Sequence, residues 1–222
     1  MIVSALRFDG SGYVDLANTV SLNFGASGFI LAAWVRYSTL GTGEYMIISK
    51  HSAGFTNGYF IDVGRNWDPA VNTNRLDFYF NRDGTRIVTP YTYDDNQWHF
   101  VVGTNDGSIG SLYVDGQFIS SEPGTPYYNG VDLIMGGVFL HTGVFICGFI
   151  GDIDDVRVHD KAMTQAEIGQ LYQSILDLGP PLTNGLQGYW QFDGSGLDSS
   201  GHGRDLTLNG TGLASTGLMG QA

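Results

Sequence analysis

The stretch Gly148–Tyr172, "GFIGDIDDVRVHDKAMTQAEIGQLY", joins two kinds of local order with no gap between them. Its first half is apolar and β-branched residues interrupted by aspartates, the composition of a strand. Its second half opens a helix. Thr164 is placed to cap it, Glu167 three residues later completes a capping box, and Met163 with Ile168 forms a hydrophobic staple. Leu171 and Tyr172 continue the apolar face begun by Ile168. So short a helix must lean on a sheet for stability. Strict alternation in the strand puts Asp152 and Asp154 on the face of Val156 and Val158, and Asp155 on the face of Ile153 and Arg157.

Upstream of this stretch the pattern is strand after strand. "GFILAAWVR", "YMIISK", "GYFIDVG", "RLDFYF", "QWHFVVGT" and "GSLYVDG" are short β-branched and aromatic runs. Asp-Gly pairs at 9, 83, 106, 115 and 193 and Asn-Gly pairs at 57, 129, 184 and 209 punctuate the chain. "SLYVDGQFISS" reads as a hairpin whose Asp115-Gly116 supplies the two positive φ angles of a type I′ turn. With 222 residues, 33 of them Gly, the chain suits one antiparallel β-sandwich of jelly-roll type with a single short helix toward its C-terminal side.

Composition removes several functions. A formal net charge of −12 argues against nucleic acid and anionic lipid as partners, because both require basic surface. The acidity comes from aspartate, with Glu only at 44, 122 and 167. A lone cysteine, Cys147, excludes an intrachain disulfide and reads as a buried strand position in "GVFICGFIG". No apolar run reaches the ~20 residues of a membrane helix, so insertion is not expected. Strand-like sequence follows Met1 within a few residues, leaving no room for a signal peptide. Synthesis in the cytosol is expected, with a virion or an extracellular surface as the destination.

Four blocks, "ALRFDGSGYVDL", "FILAAWVR", "QWHFVVGTNDGSIGSLYVDGQFIS" and the opening stretch, together resemble the laminin-G-like, concanavalin A-like jelly-roll family in its bacterial and phage form. In that family's usual order a segment similar to "GLQGYWQFDGSGLDSSGHGRD" comes first, whereas here Gly185–Asp205 comes last, as in a circular permutation. The chain then divides into a sandwich body, 1–172, a Pro-containing connector, 173–184, and a displaced first-strand segment, 185–222. That segment either closes its own sandwich or docks into a neighbouring subunit as a donated strand. A tethered strand, at an effective concentration of about millimolar, favours self-closure.

Glycosidases of this fold use paired carboxylates, and none of the three glutamates has such a neighbour in sequence. His99 in "QWHF" reads as a strand position, and an enzyme is not expected. The resemblance implies a structural calcium ion held by Asp198 and Asp154, with the His202 carbonyl as third ligand and Asp9 as an outside candidate. His202 and Arg204 depart from the family pattern, and an Asp-capped turn with Arg204 paired to a carboxylate accounts equally for "DSSGHGRD". For ligand binding the aromatic residues matter. Trp34, Trp98 and Trp190 fall on family core positions. Trp67 instead stands in a polar loop beside Asn66 and Asp68, where it can serve as a sugar platform, an interface anchor or a lid on the sandwich. Tyr91, Tyr93, Tyr127 and Tyr128 extend the set. The expected function is a non-catalytic module that binds a glycan or other surface ligand. The alternative is a structural protein of an assembly, such as a virion decoration, tail adhesin or polymeric surface layer, making homo-oligomeric contacts through its C-terminal segment.

Overall fold

A computed structural model describes residues 4–17, 22–24, 28–51, 58–64, 74–81, 85–127, 130–140, 142–176 and 182–214. Apolar residues of alternating strands face one another across two antiparallel sheets. The first sheet holds β1 (Ala5–Asp9), β3 (Phe29–Arg36), β8 (His99–Asn105), β9 (Ile109–Val114), β10 (Gln117–Pro123), β14 (Ile150–His159), β15 (Leu186–Trp190) and β17 (Gly212–Ala214). The second holds β2 (Tyr13–Leu16), β4 (Tyr45–His51), β5 (Gly58–Val63), β6 (Arg75–Tyr79), β7 (Arg86–Thr92), β11 (Leu133–Met135) and β16 (Thr207–Asn209). Its strand order is β16-β2-β11-β4-β5-β6-β7. A small ribbon of β12 (Val138–Phe139) and β13 (Phe145–Ile146) stands apart from both. This is the antiparallel sandwich the strand pattern predicts.

Between the sheets lie Leu31, Val35, Ile61, Phe78, Val101, Leu112, Trp190 and Phe192, all buried. The hairpin turn between β9 and β10 takes the expected form, with φ of 52° at Asp115 and 74° at Gly116. Helix α1 (Gln165–Leu176) covers the outer face of the first sheet, where Met163, Ile168 and Leu171 pack with Ile30, Trp34, Phe100 and Val102. Its capping box forms: the Glu167 N–H donates to Thr164 Oγ1 at 3.3 Å, and the Thr164 N–H to Glu167 Oε2 at 2.8 Å. The Thr164 N–H and the Lys161 ammonium pull the Glu167 carboxyl down to about 2. The helix runs to Leu176, so it takes residues 173–176 from the expected connector.

The C-terminal segment pairs within its own chain. β14 lies against β3 along one edge; β1 and β15 share the other, β1 opposite residues 150–153 and β15 opposite residues 156–159. Ser4 Oγ donates to the Phe192 carbonyl at 2.9 Å, joining the end of β15 to the start of β1. β16 pairs with β2, and β17 with β1.

Two local expectations fail for one reason, a left-handed residue. Alternation placed Asp154 with Val156, yet Ile153, Val156 and Val158 all enter the core while Asp152 pairs with Arg7 and Arg36 on the other side. A bulge between Asp154 and Arg157, with Asp155 at φ 51°, shifts the phase. Cys147 likewise stands at φ 55° in a bend after β13, not within a strand. Burial pushes its thiol up to about 12.

Candidate functional site

Side chains on the second sheet that point away from the core make a broad outer face, and the β12–β13 ribbon lies across it. The Met46 N–H donates to the Cys147 carbonyl at 2.9 Å, and Ser49 Oγ to the Gly137 carbonyl at 2.8 Å. Val138, Ile146 and Cys147 pack on Met46, Phe60 and Tyr79. Phe139 and Phe145 pack on Tyr13 of β2. The ribbon thus divides the face into a closed half and an open half.

In the closed half the rings of Phe60 and Tyr79 stack at 4.6 Å and 7°. The Arg86 guanidinium lies 5.0 Å from one ring centroid and 5.6 Å from the other. Arg86 reaches Glu44 at 2.9 Å, Asp77 at 3.1 Å and Asp62 at 3.6 Å. Asp62 and Asp77 are register partners on β5 and β6, so sheet pairing alone brings their carboxylates together. Desolvation works against the Arg86 charge, but Asp62, Asp77 and Glu44 outweigh it and raise its pKa. Burial, with Arg86 nearby, pushes the His51 imidazole down to about 4, so it is neutral. Side-chain exposures of 0% for Asp62, 1% for Asp77 and 9% for Glu44 leave the three carboxylates little open surface. This cluster ties strands together; it does not present acid/base groups to solvent.

The open half is built differently. Tyr13 stands edge-on to Phe139 at 4.9 Å and tilted against Phe145 at 5.3 Å, and the two phenylalanines are 5.4 Å apart. All three rings are half-buried. On the same face, Asp15 follows Tyr13 by one alternation, and β16 sets Thr207 and Asn209 beside them. Asn209 Nδ2 donates to Asp15 Oδ1 at 2.9 Å and to the Thr207 carbonyl at 3.2 Å. Both amide hydrogens are thereby engaged, leaving Asp15 Oδ2 and Asn209 Oδ1 as hydrogen-bond acceptors. An aromatic corner beside fixed acceptors can stack an apolar ring face and receive hydroxyl protons.

The family model described as concanavalin A-like lectin/glucanases superfamily matches residues 8–169. The chain belongs to this superfamily. Among solved structures, its fold is similar to a candidate carbohydrate-binding protein of Bacteroides ovatus, with a TM-score of 0.75 and 20% identity over 97% of this chain. The chain spans 60% of that protein's length. It is also similar to the native heptameric SAP-like pentraxin of Limulus polyphemus, with a TM-score of 0.62 and 14% identity over 94% of this chain and 95% of the pentraxin. A third likeness is to the Ruminococcus gnavus IT-sialidase CBM40 bound to α2,3-sialyllactose, with a TM-score of 0.59 and 15% identity over 76% of this chain and 95% of that one. Among curated proteins none matches the chain.

Of the binding residues expected in this superfamily member, Trp67, Asn66, Asp68 and Tyr128 lie outside the described residues. The others do not gather into one site. Tyr127 is 42% exposed, and its carbonyl accepts the Gly58 N–H at the start of β5. Tyr91, 74% exposed, precedes Thr92, which pairs with Arg75; the Arg75 carbonyl accepts the Gly64 N–H just past the far end of β5. The length of β5, about 17–20 Å, separates the two ends. Tyr93 is half-buried, packed on the core and edge-on to His99 at 4.9 Å. His99 itself bridges Asp115 at 2.8 Å and Asp95 at 3.1 Å, a structural position as its strand context predicts.

At the expected calcium site the chain's own donors engage the Asp198 carboxylate. Asp198 Oδ1 accepts the N–H groups of Tyr189 and Ser200, and Oδ2 accepts Ser200 Oγ and the Arg204 N–H. Four donors occupy its four lone-pair positions. Asp154 Oδ1 accepts the Asp155 N–H, and Asp9 Oδ1 caps the turn at Ser11 and Gly12. The His202 side chain reaches the Leu186 carbonyl through Nε2, whereas the ligand expected there is the His202 backbone carbonyl. Among the described residues no three acidic, His or Cys side chains form a metal group. The loop is an Asp-capped turn, with the Arg204 guanidinium donating to the Gln187 carbonyl.

Tyr13, Asp15, Asn209 and the Phe139–Phe145 pair were not singled out from sequence. A signal exists in "YVDL", where Tyr13 and Asp15 alternate with the buried Val14 and Leu16. Nothing local ties that strand to Asn209 or to the ribbon.

Proposed function

We propose that this domain is a non-catalytic glycan-binding module, and that the open half of the outer face is its site. The carrying observation is the meeting of three half-buried aromatic rings with the Asp15–Asn209 acceptor edge. Sugar rings offer apolar faces for stacking and hydroxyl groups for donation, so that pairing of surfaces suits them. The carboxylates of Asp62 and Asp77, paired around Arg86, are buried on the ribbon-covered half and accord with a binding role. Likeness to a carbohydrate-binding candidate and to a sialyllactose-bound module supports the same reading. The pairing of β15, β16 and β17 within the chain supports self-closure over strand donation to a neighbour.

Glycan-array screening followed by calorimetry on the strongest hit tests this. Tyr13→Ala and Asn209→Ala each should remove most of the binding while the protein stays folded. If both variants bind as the parent does, the open half is not the site. Loss with Trp67→Ala alone would move the site to the loop around that residue.

A further inference from the structure

The electrostatics of the open half say which glycans it accepts. Its polar edge offers acceptors: Asn209 has spent both amide hydrogens on Asp15 and Thr207, and Asp15 brings a carboxylate. A bound molecule must therefore donate hydrogen bonds there, and a second carboxylate or a sulfate would meet unscreened like charge. A further carboxylate sits at the turn leading into Tyr13. Asp9 Oδ1 accepts Ser11 Oγ at 2.7 Å and the N–H groups of Ser11 and Gly12, and the Ser11 hydroxyl and these N–H groups hold the Asp9 carboxyl below its ordinary value.

None of Tyr13, Asp15, Phe139, Phe145, Thr207 and Asn209 is basic, so none of them offsets this charge. Elsewhere among the described residues several basic side chains are buried or paired. Of the chain's ten Lys and Arg, Arg36, Lys50, Arg86 and Arg157 have buried side chains. Arg36 is paired with Asp152 and Arg157 with Asp155. The formal net charge of −12 surrounds the site with a field that repels anions.

We propose that the open half takes an uncharged, hydroxyl-rich sugar and excludes sialylated and sulfated glycans, an inference that rests on the glycan-binding reading above. The stacking corner supplies apolar contact, and Asp15 Oδ2 and Asn209 Oδ1 receive two sugar hydroxyl protons. This differs from a site for a sialylated ligand, where hydrogen-bond donors would have to face the carboxylate.

The experiment uses the whole chain on an array of neutral glycans printed beside their sialylated and sulfated counterparts, then calorimetry on the best matched pair. The neutral member should bind at least about tenfold tighter than either charged one. Its affinity should change by less than about twofold between 50 and 500 mM NaCl, because no ion pair is screened. Asp15→Asn, which removes the charge and adds a donor, should raise binding of the sialylated counterpart relative to the neutral one. Preference for the sialylated or sulfated member overturns the uncharged class while leaving glycan binding intact. Binding to no glycan at all overturns both.

Discussion

Gly103 of β8 and Gly110 of β9 show how closely the sheets approach. A Cβ on Gly103 would come within 2.4 Å of the Phe78 ring, and one on Gly110 within 2.2 Å of the Phe80 ring. Both phenylalanines are fully buried, so neither can swing aside. Gly103→Ala should cost about 1–3 kcal/mol through overpacking, visible as a lowered urea midpoint with an unchanged slope. Asp198 decides another question at this scale. Because its carboxylate is saturated by backbone and hydroxyl donors, Asp198→Ala should cost about 1–3 kcal/mol by stranding N–H groups of Tyr189, Ser200 and Arg204. That loss should be the same with and without EDTA, and the parent melt should ignore the chelator. A melt that falls in EDTA would reinstate calcium at this turn.

Among the elements, β15 has the largest consequence. It supplies a partner for the second half of β14 and buries Trp190 completely, with the indole N–H donating to the Arg204 carbonyl at 2.8 Å. Phe192 follows it into the core. Removing residues 185–222 should therefore leave a chain with lost cooperativity and dye-accessible apolar surface, since one buried aromatic alone is worth about 3–5 kcal/mol. Trp190→Ala gives the graded version of the same experiment. A cooperative melt from the 1–184 fragment, at the parent's midpoint, would reduce the segment to an appendage.

For the whole molecule the sharpest expectation is its response to acid. Burial, with Arg86 nearby, lowers the His51 pKa to about 4. Burial likewise lowers His159 to about 4, against the pull of the Asn184 carbonyl. In the unfolded chain both titrate near 6.5, so between about 6.5 and 4 the unfolded state binds protons that the folded state refuses. Stability is full above that window and falls as pH drops through it, by about 1.4 kcal/mol per pH unit for each histidine. His99 has the opposite sign. Desolvation opposes its charge, but the bonds to Asp115 and Asp95 prevail and raise its pKa. Its contribution is full below the unfolded value and is lost as pH rises through the folded one. His51 and His159 oppose His99 and the buried Asp155, whose carboxyl pKa burial raises, and the two large downward shifts predict a net loss on acidification. Melting temperatures at pH 7, 6, 5 and 4 check this, and His159→Gln should flatten the slope.

Much of the fold was legible because local chemistry dictates it. Thr164 and Glu167 cap α1 whatever surrounds them, and Asp115-Gly116 can accept the positive φ angles of its turn. Composition by itself established an acidic chain, with a formal net charge of −12. Other features depend on contacts far apart in sequence. The Asp155 bulge, which no alternation rule anticipates, turned Asp154 away from the face it was assigned. Glu44 has no carboxylate neighbour in the chain, yet strand pairing sets it with Asp62 and Asp77 around Arg86. Asn209 meets Asp15 from the other end of the protein, and the ribbon lays Phe139 and Phe145 on Tyr13. The sequence by itself determined which segments are strands and which faces are apolar, because those follow from the backbone preferences of neighbouring residues. Only the tertiary structure decided which half of the outer face is closed and which is open, because that division depends on where a two-stranded ribbon, paired into neither large sheet, comes to rest.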